Sequence, residues 1–174
     1  MKFIFIFIFL ISFLNANNYN INLTNEEELF LQKNQPLRLH NEDYWPPYNF
    51  NENNIPKGFV IDYMNLIANK LGIKVEYISG HSWNEFMEML KTNQIDAIIN
   101  ISKNKQREEF FEFTNVYHIA ANAIYVKKGN EDIDSLEKLE GKTIVMPKGF
   151  YAQQLLEEYY PQIKQILVND SVEA

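Results

Sequence analysis

Short apolar runs of strand length alternate with amphipathic segments of helix length along this chain, and that alternation limits the fold more than any single motif does. Ile73 to Ile78 has the residues of a strand, Trp83 to Leu90 has helical spacing behind Ser82 as cap, and Ile95 to Ile101 is the apolar run of a buried strand. Upstream, Pro36 to Leu39 is a candidate strand. The segment from Phe59 or Asp62 to Leu71 places Tyr63, Leu66, Ile67 and Leu71 at helical spacing before Gly72 stops it. Strand, helix, strand, helix, strand predicts an α/β unit on a largely parallel sheet.

The flanks extend this pattern. Thr24 and Glu27 have the spacing of a capping box, which predicts a short helix to about Lys33. Asn41 to Asn54 contains Trp45-Pro46-Pro47-Tyr48 and is expected to be loop, because adjacent prolines break ladders and helices alike. Beyond a polar turn from Lys103 to Glu109, Ile119 to Val126 reads as a further strand. Lys127 to Asp134 is polar and contains Gly129, so a boundary between two lobes is placed there; Thr143 to Met146, Ala152 to Tyr160 and Ile166 to Val168 then begin a second strand-helix-strand unit. Ser171 to Ala174 reads as the start of another capped helix, so the chain is expected to be a fragment with its second lobe unfinished.

Met1-Lys2, an apolar run from Phe3 to Leu14 broken only by Ser12, and small Ala16 have the order of a secretory signal peptide over residues 1–16. The run is too short for a membrane span, which needs about 20 apolar residues. Export to the periplasm is therefore expected. The chain has no cysteine and its three histidines, His40, His81 and His118, are scattered, so thiol chemistry and zinc-finger sites are out. A net charge of −7 with dispersed basic residues argues against a nucleic-acid partner. No nucleophile-and-base pair, metal-ligand set or cofactor motif stands out, and neither enzyme activity nor a cofactor is expected.

The most informative stretch is Asp96 to Ser102 followed by Arg107. A strand end delivers Ser102 to a sheet rim and a short turn returns Arg107 across it, the groups needed to hold a carboxylate. Arginine is rare here: of 16 basic residues only Arg38 and Arg107 are arginines. A surface ion pair with Glu108, Glu109 or Glu112 is the competing reading. Trp45 and Tyr48 lie where the carboxyl-end crevice of an open sheet would be, either as an aromatic wall or as a seal on the core edge. Asp62 reads best as a helix N-cap. Trp83, Phe86, Met87 and Met89 read best as core.

Trp45-Pro46-Pro47-Tyr48, Gly58-Phe59 with Asp62-Tyr63, Trp83 with Phe86, Asp96-Ala97-Ile98-Ile99, Ile101-Ser102, Arg107, Phe113-Thr114 with Tyr117, and Leu136 to Gly141 ahead of Gly149 occur in one order. That order resembles the bacterial extracellular solute-binding proteins of family 3, and the Leu23 to Glu27 start with paired prolines resembles the flytrap domains of sensor kinases. The resemblance implies a type II periplasmic-binding-protein-like fold: residues 17–127 as a first lobe with the first hinge crossing, and 128–174 as part of a second. It implies closure on an amino acid or similar solute without catalysis, serving an ABC permease or a fused transmembrane signalling domain. Attachment to a lytic transglycosylase or another enzyme, or a ligand-free protein-interaction role, is the alternative. Carried over by position, Trp45 and Phe59 would sandwich the ligand, Ser102 and Arg107 would hold its carboxylate, and Gly149 and Phe150 would offer backbone amides from the second lobe. Asn104 stands where many relatives have threonine. An unfinished second lobe implies weak solute binding by these residues alone.

Overall fold

A computed structural model describes residues 21–130 and 132–174. The segment 1–16, read above as an export signal, lies outside the described residues. Helix α1 (Asn25–Lys33) begins at the expected capping box: Thr24 Oγ1 accepts the Glu27 amide at 3.3 Å while Glu27 accepts the Thr24 amide at 2.7 Å. Strand β1 (Leu37–His40) then enters the core and pairs in parallel with β5 (Val75–Ile78), from Leu37 opposite Val75 to His40 opposite Ile78.

Between them the chain departs from expectation. Residues Asn41 to Asn54 are not all loop: β2 (Tyr44–Trp45), β3 (Asn49–Glu52) and β4 (Ile55–Lys57) form an antiparallel meander. Pro46 and Pro47 are tolerated because they occupy the turn between β2 and β3, where no ladder N–H is required. Helix α2 (Phe59–Leu71) follows and buries Val60, Ile61 and Ala68. It starts one turn earlier than Asp62, which is not its N-cap; that position is Gly58, whose carbonyl accepts the Asp62 amide at 3.0 Å. Gly72, at φ 67°, closes the helix in the left-handed conformation glycine favours.

Helix α3 (Trp83–Lys91) repeats the capping box with Ser82 and Glu85, and buries Trp83 and Phe86, while Met87 and Met89 are half-buried. The next segment lies along the free edge of β1 but forms only one bridge, Leu39 to Ala97, instead of the strand expected over Ile95 to Ile101. Side chains take the ladder positions. The Ile99 amide donates to His40 Nδ1 at 3.0 Å, and the Ile99 carbonyl accepts from the Tyr117 hydroxyl. Arg38 fastens the segment's start, its Nε and Nη2 on the Asp96 carboxylate at 3.0 and 2.7 Å. Leu39, Val60, Ile61 and Ile99 form the core of this first unit.

After the single turn α4 (Lys105–Glu108), the stretch Ile119 to Val126 is exposed and forms no strand, pairing with none of the described strands. A 3-10 turn (Glu137–Leu139) leads into β6 (Thr143–Pro147), α5 (Tyr151–Tyr159) and β7 (Lys164–Val168), with β6 and β7 parallel in register from Thr143 and Lys164. Leu139, Met146, Leu156 and Ile163 make a second, separate core.

The junction of the meander with α2 depends on Gly58. Its φ is +115°, and a Cβ there would lie 2.3 Å from the Tyr48 carbonyl oxygen and 2.9 Å from that of Pro47. These carbonyls also accept the Val60 and Phe59 amides at 2.9 and 3.0 Å, so the turn cannot retreat without losing the helix start. Gly58→Ala is expected to lower stability by about 3 kcal/mol or more in urea unfolding, whereas Gly72→Ala, where nothing lies within 4 Å of the added Cβ, should cost only about 1 kcal/mol.

Candidate functional site

Arg107 is placed by a short chain of local causes. The 95–101 segment runs beside β1 and delivers Ser102 to the end of the sheet; Asn104 then caps α4, its Oδ1 accepting the Arg107 amide at 2.8 Å. That single turn points the Arg107 side chain inward. Its Nη1 donates to the Ser102 carbonyl at 2.6 Å and its Nη2 to the Gly149 carbonyl at 3.1 Å, across to the second unit. The guanidinium carbon lies 5.3 Å from the centre of the Trp83 ring. Arg107 is 3% exposed, and its Nε has no hydrogen-bond partner among the described residues. Burial pulls the guanidinium down to about 10, against the opposing field of Tyr151, so it stays charged at neutral pH. The surface ion pair is not formed: Glu108 pairs instead with Lys103 at 2.8 Å.

Of the other expected residues, two touch Arg107 through their carbonyls: Ser102 and, from the second unit, Gly149. The φ of Gly149 is +81°, and a Cβ would meet Asn84 Oδ1 at 2.3 Å and Trp83 Cδ1 at 3.2 Å, so the glycine backbone lies directly against side chains of the first unit. The Gly149 amide is already engaged, donating to Gln153 Oε1 at 2.6 Å. Phe150 is the N-cap of α5 and stands edge-on to Trp83 at 6.0 Å. Trp45 and Phe59 make no direct ring contact with each other. They are parts of one aromatic row in which Trp45 meets Tyr48 at 5.1 Å, Tyr48 meets His118 at 5.0 Å and His118 meets Phe59 at 5.2 Å. Tyr48 also packs on the first core, as a seal on its edge would.

Two cavities divide four of the six expected residues, and Phe59 and Phe150 line neither. Trp45 and Ser102 line a groove of about 980 Å³ with Tyr63, Phe113 and Tyr117, while Arg107, Gly149 and Trp83 line one of about 240 Å³ with Gln154. Trp83 is what the sequence reading missed. Helical spacing assigned it to the core, and it is buried, yet its ring spans Arg107 and Phe150. Its position as the first residue of a helix after a sheet strand was the available signal.

Beneath the meander lies a buried polar cluster. His40 is 0% exposed, and since its Nδ1 accepts from Ile99, its proton resides on Nε2, which faces Glu42 at 3.9 Å. Asn49 donates to Asn100 Oδ1 at 2.8 Å, and Asn41 donates to Asn51 and Ser79 at 2.9 and 2.8 Å. No group of His, Cys, Asp and Glu among the described residues could hold a metal ion.

Two parallel α/β units, each with its own core and joined at a buried arginine, define a bilobal α/β protein of the type II periplasmic-binding fold. The chain belongs to the bacterial extracellular solute-binding proteins, family 3, whose profile matches residues 37–173. It is 32% identical over 119 residues to the probable amino-acid-binding protein YxeM of Bacillus subtilis, covering 68% of this chain and 45% of that protein. It is 31% identical over 114 residues to the putative amino-acid ABC transporter-binding protein PatH of Vibrio harveyi, covering 65% of this chain and 46% of that one. The chain thus spans under half the length of these relatives. An ancestral arginine-binding protein bound to glutamine superposes with a TM-score of 0.72 at 32% identity, over 79% of this chain and 61% of that one. An ancestral amino acid-binding protein described as a precursor of cyclohexadienyl dehydratase superposes with a TM-score of 0.75 at 27% identity, over 84% and 66%.

The buried cluster makes stability depend on pH in two opposed ways. Burial, reinforced by Asp43, pushes Glu42 up to about 7, and burial pushes His40 down to about 3. The folded state therefore binds an extra proton at Glu42 between about pH 4.5 and 7, and one fewer at His40 between about pH 3 and 6.5. The first makes stability fall as pH rises; the second makes it rise. In Glu42→Gln only the histidine contribution survives, so the variant should gain stability over wild type by on the order of 2–3 kcal/mol between pH 4.5 and 7, read by urea unfolding at fixed salt. A difference that does not change with pH would contradict the assignment.

Proposed function

We propose that the chain captures a small amino-acid-like solute by its carboxylate at Arg107, with a lobe formed by residues 17–127 closing against one that begins at residue 128. The observation that carries this reading is a charged, 3%-exposed guanidinium with no acidic partner among the described residues. A buried arginine solvated only by carbonyls and an indole face is poised for an anion that forms two parallel hydrogen bonds to it. Trp45 and Phe59 supply aromatic walls, Ser102 a hydroxyl at the sheet end, and Gly149 and Phe150 the far side. Closure then follows from ligand contacts that exist only when both lobes are engaged.

Family membership supports solute capture outside the cytoplasm, and residues 1–16 would direct export to the periplasm. The names of YxeM and PatH support an amino acid as ligand and an ABC permease as partner, rather than an enzyme activity or a signalling domain. No step of this function calls for a cofactor.

Calorimetric titration of the completed two-lobe domain with the L-amino acids tests the reading. Arg107→Ala should weaken binding of whichever one wild type takes by about 30-fold or more, because a desolvated bidentate contact is worth roughly 2–5 kcal/mol. Each unit has a core without Arg107, so the fold should persist. Near-normal affinity in the variant would refute the carboxylate role. Trp45→Ala should weaken the same binding by about tenfold with little change in unliganded melting temperature, since an aromatic wall serves ligand more than core. A large fall in melting temperature would instead make Trp45 structural.

A further inference from the structure

The contacts between the two units extend beyond Arg107. Gln154, on the second turn of α5, reaches α4 with both ends of its amide: its Oε1 accepts from Asn104 Nδ2, and its Nε2 donates to Gln106 Oε1 at 2.8 Å. Asn104 is thereby used twice. One end of its side chain caps α4 by accepting the Arg107 amide, and the other end holds the second unit. A threonine could cap α4 as well, but its short hydroxyl lacks the separate amide donor that spans to α5. Residues 104, 106 and 154 and the Arg107–Gly149 contact lie around the same 240 Å³ cavity or at its margin.

We propose that Gln154, through Asn104 and Gln106, forms an amide clasp that holds the two units together without ligand and keeps Arg107 on the Gly149 carbonyl, so that an incoming carboxylate must displace it. The clasp acts against binding. While the units are held together, Gly149 occupies one Nη2 donor and the side chain is 3% exposed, so a solute carboxylate reaches the guanidinium edge only after the units part, and the binding-competent fraction of the protein is reduced. Gln154 is accordingly a positioning residue, setting the distance between the units rather than touching solute.

The chain has two tryptophans, Trp45 and Trp83, and Trp83 is 9% exposed at this junction. In a Trp45→Phe background, acrylamide quenching of Trp83 therefore reports separation of the units with no ligand present. Gln154→Leu, which keeps side-chain size and loses both hydrogen bonds, should raise the quenching constant about two- to threefold, the scale expected when two hydrogen bonds no longer bias the equilibrium. Gln154→Glu should stay near the parent, because its carboxylate accepts from Asn104 and from a turned Gln106 amide. An unchanged constant in Gln154→Leu, or equal constants in Leu and Glu variants, would overturn the clasp. Should Gln154→Leu fail to fold by circular dichroism, Asn104→Thr retains a helix cap while withdrawing the amide, and carries the same expectation. The quenching result is independent of the proposed solute function. Resting on that reading is a second arm, with L-arginine and L-glutamine as probes: whichever one binds wild type should bind Gln154→Leu about three- to tenfold tighter. Weaker binding would show that the clasp assists capture and would overturn its competitive role.

Discussion

A guanidinium that stays charged at 3% exposure must be solvated by protein instead of water, and here two main-chain carbonyls and the face of one indole do it. One carbonyl, of Ser102, belongs to the first unit, and the other, of Gly149, to the second. Arg107 therefore ties the two units together through one hydrogen bond to each. Glycine suits position 149 at this junction, since its φ of +81° favours glycine and a Cβ there would crowd Asn84 and Trp83. Trp83 stands at the start of α3, where the helix is anchored by the Ser82–Glu85 capping box. Burying a cation without a carboxylate is expensive unless a ligand repays it, which makes Arg107 the centre of the functional argument.

The sequence read well wherever a local cause decides structure. The capping box at Thr24–Glu27, the helix cap at Ser82, the glycine stop at Gly72 and the β6-α5-β7 unit all lie within a residue or two of where spacing placed them. It read poorly where a distant side chain intervenes. The apolar run from Ile95 to Ile101 has every property of a strand, but His40 takes the Ile99 amide and Tyr117 its carbonyl, so the ladder stops after one bridge. The meander was missed because two prolines look prohibitive until the pairing register places them in its turn.

The same distinction governs the site. Arg107 was legible because arginine is rare in a lysine-rich chain and follows a strand end at short range. Its burial and its contact with Gly149 were not, since they require the second unit to be docked. Trp83 shows the limit of periodicity: a residue can be buried at helical spacing and still face a cleft. Trp45 and Phe59, both legible as aromatic, turn out to be two members of a row that runs through Tyr48 and His118, a connection made only in three dimensions.

Because Arg38 and Arg107 are the only arginines, labelling arginine alone with nitrogen-15 yields two guanidinium signals, one at the junction of the two units and one fixed on Asp96 as an internal control. The direct measurement is to follow both during titration with the L-amino acid that binds and, in parallel, with its carboxamide, which lacks the carboxylate. The account predicts that the Arg107 signal moves and broadens less with the amino acid bound, does not respond to the carboxamide, and that Arg38 stays still throughout. Binding of the amino acid with an unmoved Arg107 signal, or an equal response to the carboxamide, would contradict it.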